Sequence, residues 1–377
     1  MLDVFRRVGF IPRACGWEIT LRCNMRCLHC GSLAGRARDD ELSHDECLRV
    51  ADELVELRCG RVTLTGGEPT LHPAWDELGQ RMAKQRILVA IISNAWSFGP
   101  REAERAARAG LCTVGFSLDG LEHEHDAFRG PGSYPRVLEA IRSVRAVALD
   151  ISVNTTIHSL NRHQLVELRD LLEAEGVRSW QLQYAIPTGA MAGRRDLVLP
   201  AEDLLWIVPQ IAELCRERKG RMHIVASDHI GYFGPPEADL RQADVALPFW
   251  LGCWAGMHTL GIESNGNVKG CLSLPSDRHG ERRYLEGNVR SSSLREIWGR
   301  PAGFSYNRCF SVDQLRGFCS VCRYGDVCRG GCTWKRYSLG DETSGDIYCF
   351  YYQAVKHRRY DLLDDDPTPA EKTFPGF

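Results

Sequence analysis

The chain reads Gly16-Trp-Glu-Ile-Thr-Leu21 and, one residue later, Cys23-Asn-Met-Arg-Cys27-Leu-His-Cys30. The first stretch favours a β-strand that runs directly into three cysteines at the spacing C-x3-C-x2-C. Thiolates packed this closely repel one another, and a bound metal neutralises their charge. Cysteines at such short spacings hold iron–sulfur clusters, and three ligands leave one iron of a four-iron cubane open. A zinc loop is the alternative for the triplet alone.

Strand-like runs rich in β-branched residues alternate with amphipathic helical runs from residue 16 to residue 186. Six such strand–helix units predict a parallel sheet with helices outside, which right-handed crossovers curl into a barrel. A full eight-unit barrel takes about 250 residues, so the chain is expected to form a partial, open (β/α)6 TIM-type barrel. In this barrel, as in a doubly wound sheet, functional groups lie at the carboxyl ends of strands.

Short polar motifs follow the predicted strands. Gly66-Gly67-Glu68-Pro69 ends the second, Ser93-Asn94 the third, and Ser117-Leu118-Asp119-Gly120 the fourth. The glycines permit a close backbone approach to a ligand, and a carboxylate accepts hydrogen bonds from an ammonium group. The candidate pocket residues are Gly66, Gly67, Glu68, Ser93, Asn94, Ser117, Asp119, Arg129, Asn154 and Gln183. A solvated loop arginine remains the alternative for Arg129, and ordinary strand-end polar groups for Asn154 and Gln183.

A second group of cysteines lies in the C-terminal third, where helical and strand periodicity weakens. Two strands around the Asn265-Gly266 turn predict a β-hairpin there. Paired zinc sites compete with iron–sulfur clusters for these cysteines, because CxxC pairs are common zinc ligands. The members of the group are Cys253, Cys271, Cys319, Cys322, Cys328, Cys332 and Cys349.

With the cysteine triplet after the first strand and the Gly-Gly-Glu turn after the second, the chain resembles the radical SAM enzymes. The second cysteine group resembles the SPASM extension that some of these enzymes carry, a module with two auxiliary clusters. The resemblance implies that Cys23, Cys27 and Cys30 hold a [4Fe–4S] cluster whose open iron binds S-adenosyl-L-methionine. Reductive cleavage of this cofactor gives a 5′-deoxyadenosyl radical, which abstracts hydrogen from the substrate.

The same resemblance implies three [4Fe–4S] clusters in total. One auxiliary cluster takes Cys319, Cys322, Cys328 and Cys349, and the cluster nearer the active site takes Cys253, Cys271 and Cys332. The nearer cluster then lacks one ligand, which leaves two alternatives, ligation by Cys309 or an open iron. The Gly-Gly-Glu turn is assigned to the cofactor's amino group, and the polar groups after the third and fourth strands to its ribose and carboxylate, with Arg129 as a further carboxylate partner.

Relatives with this extension mostly modify peptides. The resemblance therefore implies a maturase that crosslinks or otherwise oxidises a ribosomally made peptide with a leader. A low-potential donor such as flavodoxin or ferredoxin would supply electrons. A small-molecule dehydrogenase or haem-pathway enzyme is the alternative, and Leu272 after Cys271 counts against a sulfatase maturase, where an aspartate is typical. A zinc-stabilised binding module without chemistry is the third hypothesis.

The composition limits the partners and the cellular location that can be expected for this protein. A net charge of −2 over 377 residues gives no reason to expect nucleic acid or an anionic membrane as partner. No apolar run reaches membrane-spanning length, and no signal peptide precedes the triplet, so a cytoplasmic protein is expected, whose 16 cysteines are not a disulfide framework. The expected divisions are a barrel core at 1–220, a bridging segment at 221–252, the auxiliary-cluster domain at 253–355, and a flexible acidic tail at 356–377.

Overall fold

The computed structural model describes residues 9–217, 222–227, 229–241, 249–276, 282–340 and 346–374. Parts of the predicted bridging segment and the last three residues of the predicted tail lie outside these ranges. The chain forms two compact units that are not continuous in sequence. The first comprises residues 1–117, 126–152 and 254–309, and the second comprises residues 118–125, 153–253 and 310–377.

Ten strands are described. They are β1 Ala14–Thr20, β2 Arg61–Gly66, β3 Leu88–Ser93, β4 Thr113–Ser117, β5 Asp150–Ile157, β6 Ser179–Tyr184, β7 His223–Ala226, β8 Thr259–Ile262, β9 Asn267–Lys269 and β10 Gly287–Asn288.

The described α-helices lie between and after these strands. They are α1 His44–Glu56, α2 Trp75–Ala83, α3 Pro100–Arg108, α4 Glu122–Arg129, α5 Ser133–Ala146, α6 Leu165–Ala174, α7 Leu204–Glu217, α8 Pro236–Leu240, α9 Leu294–Gly299, α10 Ser305–Arg308, α11 Gly325–Cys328, α12 Thr333–Leu339, α13 Phe350–Lys356 and α14 Pro369–Lys372.

In the first unit, neighbouring strands follow the order β10-β9-β8-β1-β2-β3-β4. Strands β1 to β4 pair in parallel, and helices α1, α2 and α3 connect them as the alternating pattern predicts. A capping box begins α1, since Ser43 accepts from the Glu46 N–H and the Glu46 side chain accepts from the Ser43 N–H.

The predicted hairpin is confirmed as the antiparallel pair β8–β9, and Gly266 at φ +87° supplies its turn. Strand β8 also pairs in parallel with β1, with Trp17 opposite Ile262. The hairpin therefore extends the sheet of the first unit, which the sequence did not indicate. Trp17 and Ile262 are both fully buried, so this added strand contributes to the core of the unit.

The second unit contains β5 from residue 153 onward, followed by β6 and β7, and β6 pairs in parallel with β7. Buried and half-exposed residues alternate along β6, where Trp180, Leu182 and Tyr184 are buried. The end of the chain packs in this unit as well. Glu371 of α14 is fully buried and accepts a hydrogen bond from the Arg323 N–H at 2.8 Å. The expectation of a flexible tail from residue 356 did not anticipate this packing.

Candidate active site and cysteine groups

The cysteine triplet follows β1 in a loop closed by backbone hydrogen bonds. The Cys23 N–H donates to the Gly35 carbonyl at 3.1 Å, and the Cys30 N–H donates to the Cys27 carbonyl at 3.3 Å. Two thiols receive backbone donors from within the loop: the Ala34 N–H lies 3.3 Å from Cys30 Sγ, and the Met25 N–H lies 3.5 Å from Cys23 Sγ. Hydrogen bonds of this kind favour thiolates over thiols, so the donor set suits iron ligation.

The strand end that leads into this loop is fixed by the half-buried carboxylate of Glu41. Glu41 accepts from the Leu21 N–H at 2.6 Å and from the Thr20 hydroxyl at 3.0 Å. Arg38 forms an ion pair with Glu18 of the same strand and also donates to Ser264. These contacts hold the first residues of the cysteine loop in register with the sheet.

The Gly-Gly-Glu turn runs alongside the same strand end. The Gly67 N–H donates to the Thr20 carbonyl at 2.9 Å, and the Glu68 N–H donates to the Arg22 carbonyl at 2.8 Å. A Cβ at Gly66 would lie 2.1 Å from the Thr20 oxygen, and a Cβ at Gly67 would lie 2.3 Å from the Arg22 oxygen. The glycines are therefore needed for the close approach of two backbone segments, whereas the sequence suggested an approach to a ligand.

Glu68 is fully buried between the ends of β2 and β3. Its carboxylate accepts from the Thr70 hydroxyl at 2.6 Å, the Ser93 hydroxyl at 2.9 Å and the Asn94 N–H at 2.7 Å. Burial raises the pKa of Glu68, and these donors act against the rise. The carboxylate thus joins the two predicted motifs into one rigid surface.

Asn94 connects this surface to the cysteine loop. Its Nδ2 donates to Asn24 Oδ1 at 2.8 Å and lies 3.6 Å from Cys23 Sγ. Because the Asn94 backbone is fixed by Glu68, its side-chain amide is held against the first cysteine of the triplet. Burial, followed by smaller contributions, raises the pKa of Cys23 in the metal-free protein, and the Asn94 amide opposes that rise.

Arg129 also lies over the cysteine loop. Its Nη2 is 3.2 Å from His29 Nε2, and its Nη1 is 4.0 Å from Cys27 Sγ. The His29 ring stacks on Phe128 with centroids 4.4 Å apart and planes inclined by 13°. A guanidinium is therefore placed beside two members of the loop, rather than in open solvent.

The remaining predicted pocket residues differ in burial. Ser117 at the end of β4 is half-buried in the first unit, and Asn154 and Gln183 are half-buried in the second. The Gln183 amide donates to the Thr156 hydroxyl at 3.0 Å. Asp119 is fully buried in the second unit, where its Oδ1 accepts the Thr156 N–H at 2.6 Å.

The sequence did not single out the buried polar residues around Asp119. His125 Nδ1 accepts the Asp119 N–H at 3.0 Å, and Asn161 Nδ2 donates to the Asp119 carbonyl at 3.0 Å. Both side chains are fully buried. No periodic pattern in the sequence predicts such a network, because each of these hydrogen bonds joins a loop residue to another segment.

In the second unit, four cysteines line one cavity, here called the four-cysteine cavity: Cys319, Cys322, Cys328 and Cys349. It is otherwise walled largely by aromatic rings, including Tyr232, Phe318 and Tyr351. Burial raises the pKa of Cys322 to about 12, and the nearby Cys319 and Glu371 add to the rise. Four thiols in one apolar cavity form the ligand set predicted for one auxiliary cluster.

Cys253 and Cys332 form a second cysteine group in the same unit. Their thiols are hydrogen-bonded to each other, and this contact is the largest cause of the raised pKa of Cys332. Arg329 holds the Cys253 segment, since its Nη2 donates to the Cys253 carbonyl at 3.1 Å and to the Leu251 carbonyl at 2.8 Å. The structure thus brings together two of the three cysteines predicted for the nearer cluster.

The other two predicted ligands, Cys271 and Cys309, lie in the first unit. Cys271 follows β9 and is half-buried, and its carbonyl accepts the Leu274 N–H at 3.1 Å. Cys309 follows α10 and is exposed. The preceding Arg308 is buried, where it donates to the Gly256 carbonyl at 2.7 Å, so the end of α10 is fixed although the thiol itself is open to solvent.

Within the described ranges, no three His, Cys, Asp or Glu side chains converge on a point that one metal ion could fill. None of the helices that the structure describes is long and apolar enough to cross a lipid bilayer.

Two family models match the chain. The model for the radical SAM superfamily matches residues 17–172, and the model for the iron–sulfur cluster-binding SPASM domain matches residues 253–340. The first match contains the cysteine triplet and the Gly-Gly-Glu turn. The second contains every cysteine of the second group except Cys349.

Two named proteins are similar over most of the chain. An AdoMet-dependent heme synthase from Methanosarcina barkeri is 28% identical over 355 residues, covering 92% of this chain and 98% of that protein. The mycofactocin maturase MftC from Mycobacterium tuberculosis is 28% identical over 344 residues, covering 90% of this chain and 83% of that protein.

Among solved structures, SuiB from Streptococcus suis bound to S-adenosylmethionine is similar with a TM-score of 0.72 and 18% identity. The match covers 92% of this chain and 80% of SuiB. At this identity the likeness concerns the fold, and it confirms the predicted α/β partial barrel with its C-terminal extension.

Proposed function

Because this chain belongs to the radical SAM superfamily and carries a SPASM domain, we propose that it oxidises a ribosomally made peptide, forming a crosslink or a related modification. The similarity to the mycofactocin maturase over 90% of the chain carries the choice of a peptide substrate. The four-cysteine cavity supports an oxidation, because it offers a site for an electron acceptor within the same chain.

Cys23, Cys27 and Cys30 are the proposed ligands of the first cluster. When bound, this cluster and S-adenosyl-L-methionine supply an electron and a radical that takes hydrogen from the substrate. The chain's part is to hold the loop closed, to direct the Asn94 amide and the Arg129 guanidinium at it, and to exclude water. The contacts of Asn94 and Arg129 with Cys23 and Cys27 support these roles.

The Gly-Gly-Glu turn and the strand ends are proposed to shape the cofactor site. Glu68 acts as a positioning residue, because its enclosed carboxylate is already satisfied by Thr70, Ser93 and Asn94. Asp119 is proposed to have the same kind of role in the second unit. The half-buried side chains of Ser117, Asn154 and Gln183 remain the proposed polar contacts to cofactor or substrate.

For the auxiliary clusters, Cys319, Cys322, Cys328 and Cys349 are the proposed ligands of one. Cys253 and Cys332, with Cys271, are the proposed ligands of the other, and Cys309 or an open iron completes it. The proposed domains are those expected from the sequence, a barrel core at 1–220 and an auxiliary-cluster domain at 253–355. A flavodoxin- or ferredoxin-like protein is the proposed electron donor. The proposed location is the cytoplasm, where cysteines stay reduced.

A second candidate function is an oxidation in haem formation. It is favoured by the similarity to the heme synthase, whose whole length this chain nearly spans. The two candidates share the cofactor and all proposed ligands, and they differ only in the substrate that meets the radical.

Co-expression separates the two candidates. If a short peptide is encoded beside the gene, the protein is produced together with that peptide; in parallel, the protein is incubated with an iron-bound porphyrin precursor of haem. Mass spectrometry of the peptide is expected to show the loss of two hydrogen atoms, localised to one residue or one pair. An unchanged peptide together with conversion of the porphyrin would overturn the peptide proposal and support the second candidate.

A further inference from the structure

The second unit contains a lysine that is completely buried beside the auxiliary cysteines. Lys335 lies in α12, three residues after Cys332, and is 0% exposed. Its Nζ donates to the His229 carbonyl at 2.9 Å and to the Tyr348 carbonyl at 2.8 Å, and lies 4.5 Å from the centre of the Tyr232 ring. These contacts fix the position of the ammonium group.

Its counterion is Asp346, also buried. Asp346 Oδ2 is 2.8 Å from Lys335 Nζ, and Oδ1 accepts the Tyr348 N–H at 2.9 Å. Gly331 makes room for the carboxylate, because a Cβ there would lie 2.7 Å from Asp346 Oδ2. Burying two charges costs about as much as their attraction returns. Folding stability alone is therefore a weak reason for such a pair.

The two ends of the Lys335–Asp346 pair face different cysteine groups. At the positive end, the Lys335 backbone N–H donates to the Cys332 thiol, and Lys335 lies in the first turn of the helix that Cys332 caps. At the negative end, Asp346 lines the four-cysteine cavity together with Cys328 and Cys349. The pair is thus a dipole oriented between the two groups.

We propose that the Lys335–Asp346 pair sets a step in reduction potential between the two auxiliary clusters, with the cluster at Cys332 raised and the cluster in the four-cysteine cavity lowered. This inference rests on the proposed function in that both cysteine groups hold clusters. A cluster gains negative charge when it is reduced, so a nearby cation stabilises the reduced form and a nearby carboxylate destabilises it. One electron shared by the two clusters is accordingly biased toward the cluster at Cys332.

Another buried cation of this region, Arg329, does not produce such a step. The Arg329 guanidinium is close to both Cys253 and Cys328, and it donates to the Cys253 carbonyl. Since it faces both cysteine groups, its charge raises both potentials together. The Lys335–Asp346 pair differs from Arg329 because it carries opposite charges at its two ends.

The test is an EPR-monitored redox titration of the full chain with reconstituted clusters. Lys335→Met removes the cation and keeps an apolar stem, and it is expected to lower the potential of the cluster at Cys332. Asp346→Asn removes the anion and keeps an oxygen for the Tyr348 N–H, and it is expected to raise the potential of the cluster in the four-cysteine cavity. A tenfold change in the one-electron equilibrium corresponds to about 59 mV, and each variant is expected to reach that size.

Two further variants are needed. One assigns the EPR signals to the two clusters, and the other serves as the control. Cys319→Ser removes a ligand of the four-cysteine cavity and identifies which signal belongs to that cluster. Lys356→Met removes an exposed cation of α13 in the same unit, and is expected to leave both potentials unchanged. Iron content and EPR spin count of every variant show whether the clusters are retained.

Unchanged potentials in Lys335→Met and Asp346→Asn, with full cluster content, would overturn the inference. If Lys335→Met loses a cluster, the Asp346→Asn variant decides the question. An upward shift in the potential of the cluster in the four-cysteine cavity supports the inference, and an unchanged potential overturns it. The potentials are measured without substrate. A wild-type protein that holds both clusters and modifies no peptide would therefore contradict the proposed function and leave this test in place.

Discussion

Replacing Glu68 by Gln is expected to loosen the first cluster site without removing any of its ligands. Four groups donate to the buried carboxylate: the Thr70 N–H, the Thr70 hydroxyl, the Ser93 hydroxyl and the Asn94 N–H. The Gln side chain keeps one acceptor oxygen. Its NH2 group replaces the other oxygen and cannot accept the hydrogen bond from the donor that it faces. The Asn94 N–H donates to Oε2 at 2.7 Å, whereas Ser93 and Thr70 share Oε1, so the oxygen stays with the pair and the Asn94 N–H loses its acceptor.

A buried donor without an acceptor costs about 1–3 kcal/mol, and we expect Glu68→Gln to lower the free energy of unfolding by that amount. Because the Asn94 side chain contacts Cys23 Sγ and Asn24, we also expect slower formation of 5′-deoxyadenosine. The assays are urea denaturation of the apoprotein and anaerobic quantification of 5′-deoxyadenosine. Glu77→Gln, at an exposed glutamate of α2, is the matched control. Wild-type stability and wild-type cofactor cleavage in Glu68→Gln would refute the positioning role.

Three further changes give distinct expectations. Gly67→Ala places a Cβ 2.3 Å from the Arg22 carbonyl oxygen and should lower the free energy of unfolding of the apoprotein by more than about 2 kcal/mol, measured by urea denaturation. Gly193→Ala is the control, because no atom lies within 4 Å of the new Cβ, and it should leave the free energy of unfolding nearly unchanged. Cys319→Ala should remove peptide product while uncoupled cofactor cleavage continues, as measured by mass spectrometry and 5′-deoxyadenosine; full product formation would contradict the assignment. Arg290 holds the pKa of Glu46 at about 2, below its ordinary 4.5, so the pair stabilises the fold above pH 4.5 and loses that effect as the pH falls through about 2. Arg290→Gln should remove this exposed pair's contribution of about 0–1 kcal/mol at pH 7, together with the Arg290 hydrogen bonds to the Asp40 and Glu41 carbonyls, which do not depend on pH. The difference in stability between the two apoproteins should therefore narrow as the pH falls through about 2; a constant difference at all pH values would exclude the ion pair as a source.

The local signals of the sequence were sufficient for the barrel and the first cysteine loop. The six strand-like runs predicted between residues 16 and 186 correspond to β1 to β6, and the Ser43–Glu46 capping box marks the start of α1. Such features depend on neighbours in sequence. Helix α4 was missed, because its sequence Glu122–Arg129 carries mostly polar residues and its apolar face is short.

Features that depend on distant segments could not be read in advance. The pairing of β8 with β1 joins residues about 245 positions apart, and no pattern in either strand specifies its partner. The Gly-Gly-Glu motif was recognised, but the reason for its glycines became evident only from the Thr20 and Arg22 carbonyls beside them. Likewise, no pattern in the sequence indicates that Lys335 and Asp346 lie together in the interior.

The measurement that tests the account most directly is anaerobic 5′-deoxyadenosine formation by the reconstituted protein and by a variant with Cys23, Cys27 and Cys30 all replaced by Ala. The wild type is expected to form 5′-deoxyadenosine from S-adenosyl-L-methionine and reductant. The variant is expected to form none, while it keeps the visible absorbance of the clusters bound by the C-terminal cysteines. Cofactor cleavage that persists in the triple variant, or a wild-type protein that cannot be loaded with iron, would contradict the account.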